Sequence, residues 1–211
     1  MTLLMICCKQ DKIVSVFLFV MESDIHFSTF IFTLKGGHDY LHGLKLRETN
    51  IIEILKESLN KLSHSDHVTV EMKSSLNDER VWIDHEQMVT VFFDLSRNAV
   101  EAMPDGGSLT ITVEGDEKQV AIAITDEGMG IAEENIPLLF TPFFTTKPVG
   151  DGTGLGLPQA YASVKAHRGD MHIESNADPK KGPTGTTIRI TLPRRQILQD
   201  KTARMIVHEE D

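Results

Sequence analysis

The sequence predicts an α+β fold, a two-layer sandwich in which helices pack on one face of a mixed, mostly antiparallel sheet. Segments with apolar residues at helical spacing alternate with segments of strand periodicity from about Leu44 onward. The later strands fall into two pairs, each joined by a short connection. The 211 residues suit one domain with appendages. We therefore divide the chain into an unassigned N-terminal segment (1–43), one domain (44–193) and a charged C-terminal tail (194–211).

The first predicted helix begins after Asn50, a residue type that favours the N-cap position. Its apolar residues recur at helical spacing and are Ile51, Ile52, Leu55, Leu59 and Leu62. A strand follows, because Val68, Val70 and Met72 alternate with polar residues.

The second predicted helix runs from about Asp84 to Met103 and stops at a Pro-Asp-Gly-Gly turn. Its apolar stripe consists of Met88, Phe92, Leu95, Ala99 and Met103. Two alternating segments follow, separated by the turn Gly115–Lys118, and they predict an antiparallel hairpin. The inward-facing residues are Leu109, Ile111 and Val113 in one strand and Val120, Ile122 and Ile124 in the other.

A long glycine-containing connection then extends from about Asp126 to Gly156, with one helical piece at Glu133–Phe140. A connection of this length inside a compact domain usually has a function, often as a lid or binding loop. The third helix is predicted over Leu157–His167, with Gly169 ending it. Strands around Met171–Glu174 and Thr186–Leu192 complete the domain.

Composition excludes some functional classes. The formal net charge of −10 disfavours a broad nucleic-acid surface, which requires positive charge. The two cysteines, Cys7 and Cys8, are adjacent and cannot join distant segments, so a reducing compartment is expected. The most apolar stretch, Ile13–Met21, is too short to span a membrane and lacks the flanks of a secretory signal. We expect a cytoplasmic domain, either independent or the cytoplasmic part of a membrane sensor.

The first chemical motif is the sequence DLSRNAVEAM, Asp94–Met103. Asp94 and Asn98 are four residues apart and lie on one helix face, with Glu101 one turn further on. A carboxylate beside an amide oxygen provides the hard oxygen ligands that Mg²⁺ prefers. Alone, the pattern is more typical of a solvated helix face than of a metal site.

The second motif is DEGMG, Asp126–Gly130, at the end of a predicted strand. A carboxylate there can accept a hydrogen bond from an exocyclic amine such as that of adenine. Gly128 and Gly130 leave room for a flat ring to approach the backbone. Alone, the motif is also typical of an ordinary Asp-Gly turn.

The third motif is TPFFTTK, Thr141–Lys147, in which two aromatic residues suit a packed flap and Lys147 offers a charge to a terminal phosphate. Alone, it also fits an anchored surface loop.

The fourth motif is GDGTGLGLPQA, Gly150–Ala160, in which glycines precede a helix. Free backbone N–H groups at the positive end of a helix form an anion site. The spacing matches neither the dinucleotide-binding nor the Walker pattern. A glycine-rich loop alone is weak evidence, but the four motifs in this order fit a Mg–ATP site.

These motifs resemble the N box, first glycine box, F box and second glycine box of the sensor histidine kinase ATP-binding domain. That domain shares its Bergerat-type fold with gyrase, Hsp90 and MutL, and the resemblance covers about Leu44–Pro193. It implies ATP and Mg²⁺ as ligands, with a mobile lid at about Ile131–Gly154. It implies that Asn98 and Asp94 hold the metal, that Asn98, Asp94 and Lys147 are catalytic, and that Asp126 and Thr186 support the adenine. The other nucleotide contacts it implies are Gly128, Gly130, Thr145, Thr146, Gly152, Thr153, Gly154, Leu155 and Gly156.

Two features depart from the family pattern. Asp94 stands where most histidine kinases have Asn and where gyrase-type ATPases have a Glu that activates water. No phosphoacceptor motif of the H-E-x-x-[NT]-P type is present, and His38 lies too close to Asn98 for a helical hairpin to fit between them. The acceptor histidine is thus expected on another chain or segment.

Three functions remain open at this stage. The leading one is a two-component kinase domain that phosphorylates a histidine domain and acts with a response-regulator receiver domain. The others are an ATP-binding regulatory or scaffold module and a gyrase-type ATP hydrolase. Residues Phe27–Leu44 are interpreted as the remnant of a dimerisation helix. We expect the apolar N-terminal segment to pack on a partner or on a second copy in a homodimer. The alternative is that the chain is a truncated relative of the family whose start is not native to this domain.

Overall fold

The computed structural model describes residues 3–10, 13–22, 26–35, 44–62, 67–148 and 152–195. In this part of the chain there are ten strands, three α-helices and one 3-10 helix. In order they are β1 (Leu3–Gln10), β2 (Ile13–Glu22), β3 (His26–Lys35), β4 (Leu46–Asn50), α1 (Ile51–Asn60), β5 (Val68–Ser74), β6 (Arg80–Asp84), α2 (His85–Glu101), β7 (Gly107–Gly115), β8 (Gln119–Asp126), the 3-10 helix (Glu133–Leu138), α3 (Gly156–Ala166), β9 (Asp170–Asn176) and β10 (Gly185–Pro193). None of the described helices has the length and apolar character needed to cross a lipid bilayer.

The start of the chain forms strands. β1, β2 and β3 make an antiparallel sheet in that order. The interpretation of Phe27–Leu44 as a helix remnant is therefore wrong over 27–35, which belong to β3, where β-branched and aromatic residues favour a strand. Residues 36–43, which include His38, and 196–211 of the expected tail lie outside the described residues.

The second sheet has five strands in the order β5-β7-β8-β10-β9. Only β5 and β7 run parallel within it, and the predicted β7–β8 hairpin is confirmed. The inward-facing residues of the hairpin are all buried, as their alternation predicted: Leu109, Ile111, Val113, Val120, Ile122 and Ile124. The sheet thus has one apolar face, which the helices cover.

The central helix is α2, which packs against both α1 and α3. Asp84 caps its first turn by accepting a hydrogen bond from the Gln87 backbone N–H. The predicted apolar stripe is buried along its whole length. Ser96 is also fully buried, and its hydroxyl has no hydrogen-bond partner among the described residues.

A two-stranded ribbon of β4 and β6, which the sequence pattern did not reveal, lies beside the helices. Arg194 joins it to the main sheet, since its guanidinium donates to the backbone carbonyls of Arg80 in β6 and Asp116 in the β7–β8 turn. Arg194 is buried, so its assignment to the tail is wrong: the folded domain includes it.

The end of α3 is tied to the start of α2. The His167 Nδ1–H donates to the Ser163 carbonyl, and Nε2 accepts from the Asp84 backbone N–H at 2.9 Å. Burial lowers the pKa of His167. Because Nε2 accepts a hydrogen bond and therefore carries no proton, the imidazole is neutral. The left-handed residue that ends the helix is Arg168, with φ 56°, rather than the expected Gly169. Gly169 instead allows close packing, because a Cβ there would lie 2.6 Å from the Thr191 carbonyl oxygen.

Candidate nucleotide-binding site

On the helix-covered face of the sheet, one row of cross-strand neighbours contains three adjacent polar residues. Leu109 lies opposite Asp126, Asp126 opposite Thr186, and Thr186 opposite Ser175. Directly opposed residues in antiparallel strands have Cβ atoms about 5 Å apart and point to the same face. Every other row of this face is apolar on β8 and β10, so Asp126 and Thr186 mark the point where the core becomes a polar site.

Asp126 is held by the backbone around it. Its Oδ1 accepts from the Gly128 N–H at 2.9 Å and the Thr186 N–H at 3.2 Å. Burial raises the pKa of Asp126, while these two hydrogen bonds oppose the shift. Oδ2 accepts no hydrogen bond from any described residue, so it is the oxygen available to a ligand amine.

The glycines of the DEGMG turn allow very close contacts. A Cβ on Gly128 would lie 2.5 Å from the Ala102 carbonyl oxygen at the end of α2, and the Met129 N–H donates to that same oxygen. A Cβ on Gly130, where φ is 70°, would lie 2.0 Å from the Asn176 carbonyl oxygen. The turn that carries Asp126 is therefore pressed onto the helix that carries Asn98.

Asp94, Asn98 and Glu101 share one face of α2, as predicted. The Asp94 carboxylate pairs with Arg97 at 3.2 Å and lies against the first residue of α3, about 4 Å from a Cβ built on Gly156. Its side chain is 15% exposed, and burial raises the pKa of Asp94, opposed by the positive charge of Arg97. Asp94 is thus engaged by protein groups.

Lys147 reaches this helix face from the lid. Its ammonium pairs with Glu101 and donates to the Asn98 Oδ1 at 3.4 Å. Its own backbone N–H donates to the Thr145 hydroxyl. A Cβ on Gly152 would lie 3.2 Å from the Lys147 side chain and 3.0 Å from the Thr145 hydroxyl oxygen. Lys147 therefore connects α2 to the glycine-rich loop.

The F-box segment and the second glycine motif pack directly on each other. Gly154, with φ 63°, accepts a hydrogen bond from the Phe143 N–H at 2.9 Å, and a Cβ there would lie 2.4 Å from the Phe143 carbonyl carbon. Phe140 anchors the segment by contact with the Tyr161 ring of α3 at 4.3 Å. The Thr153 hydroxyl accepts from the Leu155 N–H at 3.4 Å.

The predicted residues thus form two connected halves. What we call the base half, from its expected ligand group, contains Asp126, Gly128, Gly130 and Thr186. What we call the phosphate half, on the same expectation, contains Asn98, Lys147 and the Gly152–Gly156 loop. Thr146 is exposed on the lid. Gly150 and Asp151, which belong to the fourth motif, lie outside the described residues.

The donor chemistry around Asn98 fits magnesium in a shared site. The described residues contain no group of three His, Cys, Asp or Glu side chains arranged to hold a metal. Asn98 Oδ1 supplies one hard oxygen, and Mg²⁺ typically combines few protein oxygens with substrate phosphates and water. The residues therefore fit a metal that arrives with a nucleotide.

Two residues of the site were not singled out from the sequence. Ser175 completes the polar row, and Ala102 accepts the hydrogen bond that joins the two halves. An isolated polar residue at an inward position of β9 was the available signal for Ser175. Nothing in the sequence distinguishes the Ala102 carbonyl from any other at a helix end.

The curated relatives are kinases, and this chain matches a part of each. Sporulation kinase E of Bacillus subtilis (strain 168) is 33% identical over 158 residues, covering 73% of this chain and 20% of that protein. Sensor histidine kinase ZraS of Salmonella typhi is 35% identical over 138 residues, covering 63% and 29%. The chain therefore spans less than a third of either relative.

Solved structures of histidine kinases are also similar to this chain. The mycobacterial sensor histidine kinase MprB matches with a TM-score of 0.63 and 27% identity, covering 72% of this chain and 99% of that one. The catalytic domain of histidine kinase ThkA matches with a TM-score of 0.62 and 27% identity, covering 71% and 96%. The model of the family "Histidine kinase-, DNA gyrase B-, and HSP90-like ATPase" matches residues 83–196, just over half of the chain. The chain belongs to this ATPase family, and its domain is the ATP-binding catalytic domain of the histidine kinase type.

Proposed function

We propose that this chain binds Mg–ATP and transfers its γ-phosphoryl group to a histidine of a separate phosphoacceptor domain. In the reaction, the bond between the γ-phosphorus and the bridging oxygen breaks and a phosphorus–nitrogen bond to the imidazole forms. ADP leaves, and the imidazole loses its N–H proton to solvent. A response-regulator receiver domain is the proposed final acceptor, and the cytoplasm is the proposed location.

The observation that supports this most is the continuous set of contacts between the two halves of the site. Asp126 is linked to α2 through Gly128 and Ala102, and the Ala102 N–H donates to the Asn98 carbonyl. Asn98 then contacts Lys147, which packs on Gly152. The contacts thus run from an acceptor suited to the base to an amide oxygen suited to a metal, and from there to a cation and the glycine-rich start of a helix. This order corresponds to adenine, the metal and the phosphates of the proposed ligand.

The proposed roles follow from the chemistry of each group. Asp126 Oδ2 would accept from the adenine amine, and Asn98 Oδ1 would hold Mg²⁺, which supplies charge neutralisation on the phosphates. Lys147 would exchange its contact with Glu101 for one with a phosphate oxygen. The Gly152–Gly156 backbone at the α3 N-terminus would bind phosphate oxygens. Rate acceleration would come from positioning and charge neutralisation.

Asp94 bears on the alternative of ATP hydrolysis. A general base must reach the attacking water, and the Asp94 carboxylate is instead paired with Arg97 and packed beside α3. This arrangement favours phosphotransfer or simple nucleotide binding over hydrolysis.

The test is incubation of the full chain with γ-labelled ATP, Mg²⁺ and a separately purified histidine hairpin domain. Acid-labile, base-stable label on the hairpin, lost in Asn98→Ala, is the expected result. Steady phosphate release without the hairpin would identify a hydrolase. ATP binding with neither activity would identify a regulatory module, and either outcome would refute the kinase proposal.

A further inference from the structure

The polar row on the sheet contains one side chain with no place in the proposed reaction. Ser175 lies on β9, next to Thr186 and two strands away from Asp126. Its hydroxyl makes three contacts: the Ile131 backbone N–H at 2.8 Å, the Gly185 carbonyl oxygen at 2.9 Å and the Thr186 hydroxyl at 2.9 Å.

Only one arrangement of protons satisfies all three contacts. A serine hydroxyl donates one hydrogen bond and accepts two. The Ile131 N–H can only donate and the Gly185 carbonyl can only accept, so Ser175 accepts from the first and donates to the second. The Thr186 hydroxyl must then donate to Ser175. With its proton directed there, the Thr186 oxygen offers only lone pairs to a ligand.

The result is a pair of acceptors side by side. Thr186 and Asp126 are direct cross-strand neighbours, and the Thr186 backbone N–H holds the carboxylate at 3.2 Å. Two acceptors complement the two hydrogens of the amino group at position 6 of adenine when they contact it directly. They oppose the carbonyl oxygen at the same position of hypoxanthine or guanine.

We infer that Ser175 is a positioning residue that makes this site selective for 6-aminopurine nucleotides by keeping the Thr186 hydroxyl an acceptor. The inference rests on the proposed nucleotide site and adds the determinant of its base preference. Without Ser175, the Thr186 hydroxyl is free to rotate and to donate its proton to a 6-oxo group.

The same serine also holds the first residue of the segment expected to form the lid. Ile131 follows Gly130 directly, and its N–H is bound to Ser175. The bond joins the first residue after the DEGMG turn to β9, so one hydroxyl connects the proposed base site with the start of the segment expected to form the lid. Loss of this bond alone would weaken every nucleotide equally, whereas loss of the acceptor role changes the ratio between nucleotides.

The experiment is calorimetric titration of the full chain with ADP and with IDP, each with Mg²⁺. The wild type is expected to prefer ADP, and Ser175→Ala to reduce the ADP-to-IDP preference by about three- to tenfold, the value of one neutral hydrogen bond. Ser175→Thr, which keeps a hydroxyl, should restore the preference. Thr187→Ala is the matched control, because it removes a hydroxyl pair with Thr125 on the opposite face of the same sheet.

Thr186→Val should lower the preference similarly, and it tests the inference even if Ser175→Ala fails to fold, because an unchanged ratio in Thr186→Val overturns the acceptor role of the threonine. Where Ser175→Ala folds, adding it to Thr186→Val should change nothing further if the serine acts through the threonine. An unchanged ratio in Ser175→Ala, or equal weakening of both nucleotides, overturns the inference and leaves the proposed function intact. Failure of the wild type to bind either nucleotide refutes the proposed function itself.

Discussion

Replacement of Asp126 by asparagine separates the role of its carboxylate in the fold from its role toward a ligand. Asparagine keeps an oxygen that can accept from the Gly128 and Thr186 N–H groups, which now bind Oδ1. It replaces Oδ2, the oxygen without a partner among the described residues, by an NH₂ group. Two donors then face each other where the adenine amine would bind.

The magnitude follows from the bond that is lost. A hydrogen bond to a charged group contributes about 1.5–3 kcal/mol, so we expect Asp126→Asn to weaken ADP binding by about 10- to 150-fold. Asp126→Ala should weaken binding by about 1–3 kcal/mol and also leave the two backbone N–H groups unpaired.

Stability is expected to stay the same or to rise in Asp126→Asn, although ADP affinity falls. Because burial raises the pKa of Asp126, the folded state disfavours the charged carboxylate. The neutral amide avoids that cost, so the unliganded Asp126→Asn protein should unfold at the same or a higher temperature than the wild type.

Calorimetric titration with ADP and thermal unfolding monitored by circular dichroism measure the two effects. Asp116→Asn is a matched control, because the Asp116 Oδ1 also accepts from two backbone N–H groups, of Lys118 and Gln119, in the β7–β8 turn. Its ADP affinity should equal that of the wild type. An Asp126→Asn protein that binds ADP with unchanged affinity would refute the assignment of this carboxylate to the base.

Asn98→Ala should make ADP binding independent of Mg²⁺ in a titration with and without the metal; a persistent dependence would exclude its metal role. Glu101→Gln should raise ADP affinity about two- to fivefold at low salt, because Lys147 loses a competing partner of about 0.3–1 kcal/mol, and unchanged affinity would contradict that competition. Ser96→Ala should increase the free energy of unfolding in urea by about 1 kcal/mol, since a buried hydroxyl without a partner is removed; a decrease would reveal a hidden partner. Stability should fall as the pH drops below about 6.5, because the unfolded chain binds a proton that neutral, buried His167 does not, and His167→Gln should flatten this dependence in urea titrations at pH 5 and 8.

The sequence was most informative where periodicity and local chemistry agree. The apolar stripe of α2 and the alternation in β7 and β8 each predicted both an element and its buried side. Asn50 and Asp84 were predicted at helix starts, and both accept backbone hydrogen bonds there. These features depend on residues a few positions apart, which a single sequence displays directly.

Features that depend on distant residues were not predictable in this way. The β4–β6 ribbon pairs Leu46 with Asp84, and neither short strand carries a clear alternation. The role of Ser175 depends on its hydrogen bonds with Thr186 and Ile131, which lie in other parts of the chain. Arg194 looks like a charged tail residue in the sequence, because the Arg80 carbonyl that its guanidinium contacts is distant in the chain.

The two halves of the site differ in how firmly the protein holds them, and this difference suggests how binding proceeds. The base half is built on neighbouring strands and is fixed to α2 by the bond from Met129 to Ala102. The phosphate half depends on the lid, where Lys147 contacts Glu101 through exposed side chains. An exposed ion pair contributes little to stability and is easily exchanged. The base would therefore find a preformed site, and the phosphates would complete theirs by drawing Lys147 and the glycine-rich loop onto the metal and the α3 N-terminus.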